Sequence, residues 1–409
     1  MNGQSPKQTS VFNLAVLVAA LGYFVDIYDL LLFSIIRVPS LRELGLNDKA
    51  IASDGLLIIN VQMLGLLVGG ILWGVLGDKK GRLKVLYASI LIYSIGNILN
   101  GFVQTVPQYA AVRFFTGIGL AGELGAGITL VSELLPKNKR GLGTSLVAGI
   151  GLTGAVLAYF LKQNFHWRTC YFIGGGMGLL LLFLRVGVLE SGMFKTIQHS
   201  HVSKGNFLMF FTNAKRFKKY ILSIFIGLPT WYVIGILVTF SKEFGIQMGV
   251  SGAIDPGKAI MYAYAAISLG DILIGLLSQW LKSRKKALYV FYFITMIGMF
   301  MYFTLQGKTA SDLYIACAVL GFGTGFWAIF VTIAAEQFGT NIRATAATTV
   351  PNMVRGSLNL ISLLFTGLQL SYGYVQSGII TGVIIMFITI VSAAFTEETF
   401  GKDLNYTEE

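Results

Sequence analysis

Two acidic residues in an apolar stretch near the start of the chain have the spacing needed to act together. Asp26 and Asp29 are three positions apart, which places them close to one face of a helix. Two carboxyl groups so close together, and away from water, are not expected to be ionised at the same time. A carboxyl group in such a place can take up and release a proton, so at least one of the pair is a candidate for proton coupling. The alternative is that one of them pairs with a neighbouring arginine and only locks the structure.

A third acidic residue and an arginine lie in a later apolar stretch. Glu123 is a further candidate for proton coupling, and we expect it to face Asp29 across a cavity. Arg113 precedes Glu123 by ten residues, about 15 Å along a helix, so the two cannot bond each other directly. Arg113 is a candidate for holding an anionic substrate or for tuning the proton affinity of a carboxylate. A structural pair with an acid of the first apolar stretch is an equal alternative.

Arg355 is the main candidate for binding a negatively charged substrate. It follows Pro351 and Asn352 in a late apolar stretch, where packing alone explains a guanidinium group poorly. A guanidinium group can hold a carboxylate, sulfonate or phosphate through two parallel hydrogen bonds. Asn352 is a second candidate for substrate binding. The alternative for Arg355 is a structural pair with an acid such as Asp271.

Aromatic side chains are expected to line a cavity around these charges. Tyr28, Trp231 and Trp327 are the substrate-binding candidates of this type. The wider set of aromatic candidates is Tyr23, Tyr28, Trp231, Tyr232, Tyr262, Tyr264 and Trp327. Most of them, taken singly, are better explained by helix packing or by a belt at the membrane surface. The sequence has no spacing typical of a metal site or a nucleophilic triad, so we predict no metal, no cofactor and no enzymatic activity.

The elements that must position these residues are membrane-spanning helices. The chain has 409 residues, of which 55% are hydrophobic and 12% charged, about half the charged fraction of a soluble domain. Twelve apolar runs are long enough to cross a bilayer, and they are continuous rather than alternating, which predicts helices and not barrel strands. Numbered as spans 1 to 12, they cover residues 13–36, 55–77, 84–105, 108–134, 142–162, 167–188, 219–241, 259–281, 287–306, 311–335, 345–370 and 374–395. We therefore predict an all-α polytopic membrane protein with twelve transmembrane helices.

The distribution of charge predicts the orientation of the chain. Lys and Arg are concentrated in the loops on the side that holds both termini, which predicts that both termini are cytoplasmic. We expect a multi-pass protein of the cell inner (plasma) membrane. The formal net charge of +12 then reflects basic cytoplasmic loops, so we predict no nucleic-acid partner.

The chain carries an internal repeat. Glu133 is followed by Arg140, and Glu336 is followed by Arg343, with the same interval of seven residues. Parallel repeats of six helices are typical of secondary transporters. We therefore predict two pseudo-symmetric six-helix bundles. The predicted domains are an N-terminal bundle at 1–189, a cytoplasmic linker at 190–218, a C-terminal bundle at 219–396 and a cytoplasmic tail at 397–409.

One loop carries a motif that points to a family. Residues 74–82, after span 2, read Gly-Val-Leu-Gly-Asp-Lys-Lys-Gly-Arg. This resembles the signature loop of the major facilitator superfamily, Gly-x-x-x-Asp-Arg/Lys-x-Gly-Arg-Arg/Lys, although Leu83 replaces the last basic residue. The Asp-Ile-Tyr-Asp stretch at 26–29 and Glu133-x-x-Pro136 are similar to the metabolite:proton symporter branch of that superfamily.

The resemblance implies a fold and roles for several residues. It implies twelve helices in two bundles, and a part in coupling for the acids of span 1 and the arginine of span 4. We interpret the loop and helix-end residues of this pattern as a conformational latch between the halves. This set is Asp78, Gly81, Arg82, Glu133, Arg140, Glu336 and Arg343.

These observations predict a secondary active transporter that works by alternating access. The preferred function is proton-coupled uptake (symport) of a small organic anion or metabolite by a functional monomer. The alternatives are an efflux antiporter of a drug or siderophore, a symporter of a neutral sugar or nucleoside, and a membrane receptor that does not transport. Span 5 lacks the proline-bearing motif expected of antiporters, which disfavours efflux. Two Gly-x-Gly-x-x-Gly stretches, at 117–122 and 149–154, lie inside spans, which favours close helix packing over a nucleotide site.

Overall fold

Helices make up most of the described chain, which confirms the all-α prediction. The computed structural model describes residues 14–80, 82–123, 140–189, 207–339, 341–402 and 408. The helices of spans 1 to 6 are Leu14–Glu43, Asp48–Lys80, Arg82–Asn100, Val106–Leu120, Arg140–Leu152, Gly154–Asn164 and Trp167–Leu189. From there to span 12 the helical elements are Phe207–Phe210, Ala214–Phe225, Leu228–Tyr232, Val233–Val238, Ser241–Gln247, Pro256–Trp280, Arg284–Phe303, Ala310–Gly323, Trp327–Glu336, Arg343–Gly356 and Leu358–Phe395.

Nine of the described helical stretches are long and apolar enough to cross a membrane. The last of them, Thr345–Phe395, contains predicted spans 11 and 12, which separate at Gly373. Gly373 has φ 73° and ψ 178°, a conformation that residues with a side chain rarely adopt. Residues 124–134 of predicted span 4 lie outside the described chain.

Several spans are interrupted within their described length, three of them as follows. Span 5 has a turn at Thr153, span 7 continues as the π-helix Val233–Val238, and span 10 breaks at residues 324–326. Such interruptions free backbone N–H and C=O groups for side chains or ligands, and they are common where a transporter binds its substrate. The break in span 10 lies beside the charges described below.

Glycines set the close packing within the N-terminal half. A Cβ at Gly154 would overlap the backbone oxygen of Phe24, so span 5 can approach span 1 only because residue 154 has no side chain. Likewise, a Cβ at Gly119 would lie 2.6 Å from the backbone nitrogen of Tyr93 in span 3. The two Gly-x-Gly-x-x-Gly stretches therefore lie at helix contacts.

In the described part of the chain, the two halves meet mainly along two pairs of helices. Span 2 packs against span 11, and span 5 packs against span 8. A Cβ at Gly70 would lie 2.6 Å from Cβ of Asn352, and Ser268 Oγ donates a hydrogen bond to the backbone oxygen of Gly149 at 2.6 Å. Small and hydroxyl-bearing residues thus bring the halves together, as is usual between membrane helices. The helix of span 7 already begins at Ala214, and 190–206 lies outside the described residues, so the domain boundaries stay a prediction.

Among the described residues, three ion pairs join the halves at the end that is predicted to be outer. The pairs are Arg37–Glu243 at 2.7 Å, Lys162–Asp255 at 2.6 Å and Lys242–Asp48 at 3.2 Å. Predicted span 1 ended at residue 36, which left Arg37 in a loop; the helix instead continues to Glu43, and Arg37 is fully buried. Its Nη2 pairs there with Glu243 and donates to the backbone oxygen of Thr239, and its Nη1 donates to that of Ile51; both backbone contacts measure 3.2 Å.

Candidate substrate and proton site

A buried charge pair connects the two halves near the middle of the helices. Nη2 of Arg355, in span 11, lies 3.8 Å from Oδ2 of Asp26, in span 1. Asp26 is 0% and Arg355 1% exposed. Among the described residues, no donor forms a hydrogen bond with either carboxylate oxygen of Asp26, and Nε of Arg355 has no acceptor. A contact of 3.8 Å is too long for a hydrogen bond, so this pair is held by charge alone.

Aromatic residues surround the guanidinium end of this pair. The ring of Trp327 lies 5.7 Å from Cζ of Arg355, a cation–π distance. Tyr23 and Tyr264 both lie within electrostatic range of Arg355 and Asp26. The indole N–H of Trp327 has no acceptor in the described part of the chain, although the side chain is buried. The site therefore combines a cation, a buried N–H donor and aromatic faces.

The other aromatic candidates have more ordinary positions. The hydroxyl of Tyr28 donates to the backbone oxygen of Cys170 at 2.7 Å, and that of Tyr232 donates to Gly378 at 2.6 Å. Tyr262 is 37% exposed on the helix surface. Trp231 is buried in the short helix Leu228–Tyr232, and its indole N–H has no acceptor within the described ranges. Of the predicted set, Trp327 is thus the one in contact range of Arg355, and Tyr23 and Tyr264 lie farther off within electrostatic range.

Asn352 is bonded to both halves. Its Nδ2 donates to the backbone oxygen of Ala121 in span 4 and to that of Thr348, each at 2.9 Å. Its Oδ1 accepts a hydrogen bond from Nη1 of Arg355 at 3.3 Å. The amide group is therefore occupied by protein groups, and it orients Arg355 in this conformation.

Asp29 does not share the partner of Asp26. Arg113 is fully buried beside it, and its Nη2 donates to the backbone oxygen of Asp29 at 2.9 Å. Arg113 also donates to Oε1 of Gln62 at 3.2 Å and to Oδ1 of Asn97 at 3.4 Å. The carboxylate oxygens of Asp29 accept no hydrogen bond from any described residue. All of these groups belong to the N-terminal half, so Arg113 is bonded within its own half.

Glu123 forms a complete ion pair with Arg185, a partner that sequence reasoning did not identify. Nη1 of Arg185 donates to Oε2 of Glu123 at 2.9 Å, and Nη2 makes a second, short hydrogen bond to Oε1. Glu123 is 1% and Arg185 3% exposed. A Cβ at Gly22 would overlap both side chains, so span 1 packs directly on the pair. The signal for this pair was Arg185 itself, an arginine inside span 6.

Asp271 is not the partner of Arg355, which was the alternative suggested by the sequence. Its Oδ1 accepts a hydrogen bond from the backbone N–H of Ala328 at 2.8 Å. Ala328 lies in the first turn of Trp327–Glu336, the second helix of span 10. The carboxylate is thus engaged by free N–H groups at a helix start, and Arg355 pairs with Asp26 instead.

The predicted latch is described only in its C-terminal part. Glu336 forms two hydrogen bonds with Arg284, at 3.0 and 3.2 Å, and Arg343 donates through Nε to the backbone oxygen of Phe338 at 3.2 Å. These contacts lie within the C-terminal half. The remaining latch side chains lie outside the described residues: Asp78, Gly81, Arg82, Glu133 and Arg140. The latch therefore stays a prediction.

Two helical halves joined around a buried pair of opposite charges define a multi-pass membrane transporter of small molecules, not an enzyme. The family model for the Major Facilitator Superfamily matches residues 14–363, and the chain belongs to that superfamily. This confirms the resemblance carried by the loop motif.

Individual relatives are more distant. The niacin transporter of Acinetobacter baylyi is 25% identical, over 95% of this chain and 94% of that protein. The gentisate transporter of Corynebacterium glutamicum is 22% identical, over 81% of this chain and 76% of that protein. The solved structure of a proton:xylose symporter bound to 6-bromo-6-deoxy-D-glucose is similar with a TM-score of 0.71 at 18% identity, over 95% of this chain and 97% of that chain. This structural similarity establishes the common twelve-helix fold.

Proposed function

We propose that the protein takes up a small organic anion together with protons, by alternating access. The observation that carries the proposal is the Asp26–Arg355 pair, which is buried, spans the two halves and has no hydrogen bond at 3.8 Å. Removing two charges from water is costly, and a buried ion pair offsets that cost only with good geometry and additional hydrogen bonds. This pair lacks that geometry, and among the described residues only Arg355 has a further hydrogen bond, to Asn352, while the Asp26 carboxylate has none. A bound anion or a proton can therefore improve it.

The proposed cycle is a competition for Arg355. A substrate carboxylate can form two parallel, charge-assisted hydrogen bonds with the guanidinium group, which are stronger than a 3.8 Å contact with Asp26. Asp26 would then be a buried carboxylate without a counter-charge, a state that favours taking up a proton. With the anion on Arg355 and a proton on Asp26, the site carries no uncompensated charge, and the halves can reorient.

The other acids have separate roles in this proposal. Asp29 is the second candidate for carrying a proton, because its carboxylate oxygens accept no hydrogen bond from any described residue. Glu123 is matched by Arg185 and contributes mainly charge balance. One proton per monoanion moves no net charge, so only the pH gradient would drive uptake, at about 1.4 kcal/mol per pH unit. A second proton would add the membrane potential, about 2.3 kcal/mol per 100 mV.

The relatives support an anion with an aromatic ring. Two of the similar proteins are named as transporters of niacin and of gentisate, and both compounds are aromatic carboxylic acids. Trp327 beside Arg355 suits such a substrate, because it offers a flat apolar face next to the cation that would hold the carboxylate. We further infer that both termini are cytoplasmic, supported by the side on which Lys and Arg concentrate. Membership of the superfamily supports a monomer in the inner membrane.

Uptake into proteoliposomes tests the proposal. We expect labelled nicotinate to accumulate under an imposed inward proton gradient and to be released by a protonophore. Asp26→Asn should abolish gradient-driven accumulation while exchange of internal for external nicotinate persists, because exchange needs no net proton movement. Asp54→Asn, a partly exposed acid at the start of span 2, is the matched control. Accumulation that is unchanged in Asp26→Asn would rule out the assigned role of Asp26.

A further inference from the structure

The second helix of span 10 begins inside the protein, directly beside the proposed anion site. The chain leaves the helical path at residues 324–326, and Trp327–Glu336 then starts a new helix. The first N–H groups of a helix have no partner within the helix and need an acceptor from elsewhere. Phe326, the residue before this helix, forms no side-chain cap. An acceptor must therefore come from another part of the chain.

That acceptor is Asp271 of span 8. Its Oδ1 accepts a hydrogen bond from the backbone N–H of Ala328 at 2.8 Å. Asp271 is 0% exposed, and its Oδ2 has no partner in the described part of the chain. A carboxylate at a helix N-terminus is stabilised by the free N–H groups and by the helix dipole. The cap of this half-helix is thus supplied by a neighbouring span.

Two glycines allow the backbone of span 8 to approach the break in span 10 closely. A Cβ at Gly325 would lie 2.8 Å from Cα of Gly270 and 3.0 Å from the backbone nitrogen of Asp271. A Cβ at Gly270 would lie 2.6 Å from the backbone oxygen of Phe322. The backbones can approach this closely only because neither position has a side chain. The position of Asp271 at the break is therefore a product of local packing.

The capped helix carries part of the anion site at its first residue. Trp327 opens the helix, and its ring lies 5.7 Å from Cζ of Arg355. We propose that Asp271 is a positioning residue for the anion site: by capping the second helix of span 10, it holds Trp327 beside Arg355. The inference rests on the proposed function, since the anion site is the one assigned to Arg355. Asp271 itself does not touch the anion.

The same span offers a matched control. Thr309 and Asp312 form a capping box at the start of Ala310–Gly323, the first helix of span 10, on the exposed surface. Asp312 therefore completes the cap of one half-helix of span 10, by accepting from the backbone N–H of Thr309, and Asp271 caps the other. Only the second half-helix begins beside Arg355. Asp312→Ala removes a cap of the same chemistry without touching the site.

Hydrogen exchange tests the cap without any ligand. In Asp271→Ala we expect the amides of residues 327–329 to exchange at least about tenfold faster than in the wild type, and in Asp312→Ala only those near 310–313 to do so. Gly325→Ala, which forces span 8 and span 10 apart, should reproduce the effect of Asp271→Ala. Asp271→Asn keeps an oxygen acceptor and should stay closer to the wild type. Unchanged exchange at 327–329 in Asp271→Ala would overturn the proposal.

A double-mutant cycle tests whether the cap acts through Trp327. With nicotinate as the probe, Asp271→Ala should weaken binding by about tenfold in the wild-type background and by less than about twofold in Trp327→Phe. Effects that multiply in the double variant would overturn the proposal. If the wild type does not take up nicotinate with protons, the proposed function fails, while the exchange measurement still decides whether Asp271 holds the helix.

Discussion

Two buried pairs in this protein each join an arginine to a carboxylate, but they differ in distance and in hydrogen bonding. Arg185 and Glu123 lie in one half of the chain and form two hydrogen bonds. Arg355 and Asp26 lie in opposite halves, 3.8 Å apart, and the described residues give no hydrogen bond to the Asp26 oxygens. Both pairs are almost completely removed from water.

The difference separates charges that hold the fold from charges that can work. Both pairs bear the cost of leaving water, but only Arg185–Glu123 has the geometry that offsets it. Its two members also move together when one half moves against the other. A bound anion or a proton would stabilise the groups of the Asp26–Arg355 pair. A movement of one half against the other would change the distance between Asp26 and Arg355. The first pair is therefore expected to govern stability, and the second to govern binding and coupling.

The largest expected effect is on the stability of the protein when the Arg185–Glu123 pair is broken. Arg185→Ala should lower the free energy of unfolding by about 3–5 kcal/mol, because Glu123 would remain as a buried charge without a partner. Thermal unfolding of the purified protein measures this. The double variant Arg185→Met with Glu123→Gln removes both charges and should recover most of the loss. An unchanged melting temperature in Arg185→Ala would show that the Arg185–Glu123 pair does not govern the stability of the protein.

A second effect, on ligand affinity, belongs to the unsatisfied pair. Arg355→Ala should weaken nicotinate binding by roughly 100-fold, from the loss of two charge-assisted hydrogen bonds of about 1.5 kcal/mol each. Its melting temperature should fall less than that of Arg185→Ala, because Asp26 can take up a proton. Isothermal titration with nicotinate, and with the neutral amide nicotinamide as the control ligand, measures the effect. Equal losses for both ligands would show that Arg355 does not recognise the negative charge.

The smallest effect concerns the ion pairs at the predicted outer end. Glu243→Gln weakens the contact with buried Arg37. It should shift the equilibrium between the inward-open and outward-open conformations by about fivefold, or about 1 kcal/mol. Distances between spin labels at Lys49→Cys and Ser251→Cys, without the native cysteines, report that balance. Lys242→Ala, in a more exposed pair, should cause no detectable shift. A shift as large in the control would show that burial is not what makes Arg37 important.

The sequence predicted the spans and the isolated charges well, for a simple physical reason. A long apolar run has few stable alternatives to a membrane helix, and a charge within it is costly enough to signal a role. Asp26 and Arg355 were identified in this way. Their pairing was not, because it depends on how span 1 faces span 11 after the two halves have packed. For Arg355 the sequence suggested, as the alternative to anion binding, a structural pair with an acid such as Asp271.

The remaining differences come from partners supplied by the backbone. Asp271 is engaged at the start of the second helix of a broken span. The break at 324–326 lies in a stretch with Gly321, Gly323 and Gly325, a signal that the prediction of one continuous span did not use. Arg37 is satisfied partly by the backbone oxygens of Ile51 and Thr239. Backbone donors and acceptors are the same at every position, so a sequence does not reveal which of them will be free.

The amide of Asn352 has a consequence for how substrate is sensed. It donates to Ala121 across the boundary between the halves and accepts from Arg355 on its own helix. An anion that draws the guanidinium group of Arg355 toward itself removes the hydrogen-bond donor from the amide oxygen of Asn352. The Asn352 side chain is then freer to rotate and to release the backbone oxygen of Ala121. Occupancy of the binding pocket would then be communicated to the seam between spans 4 and 11 through a single side chain, over one helical turn.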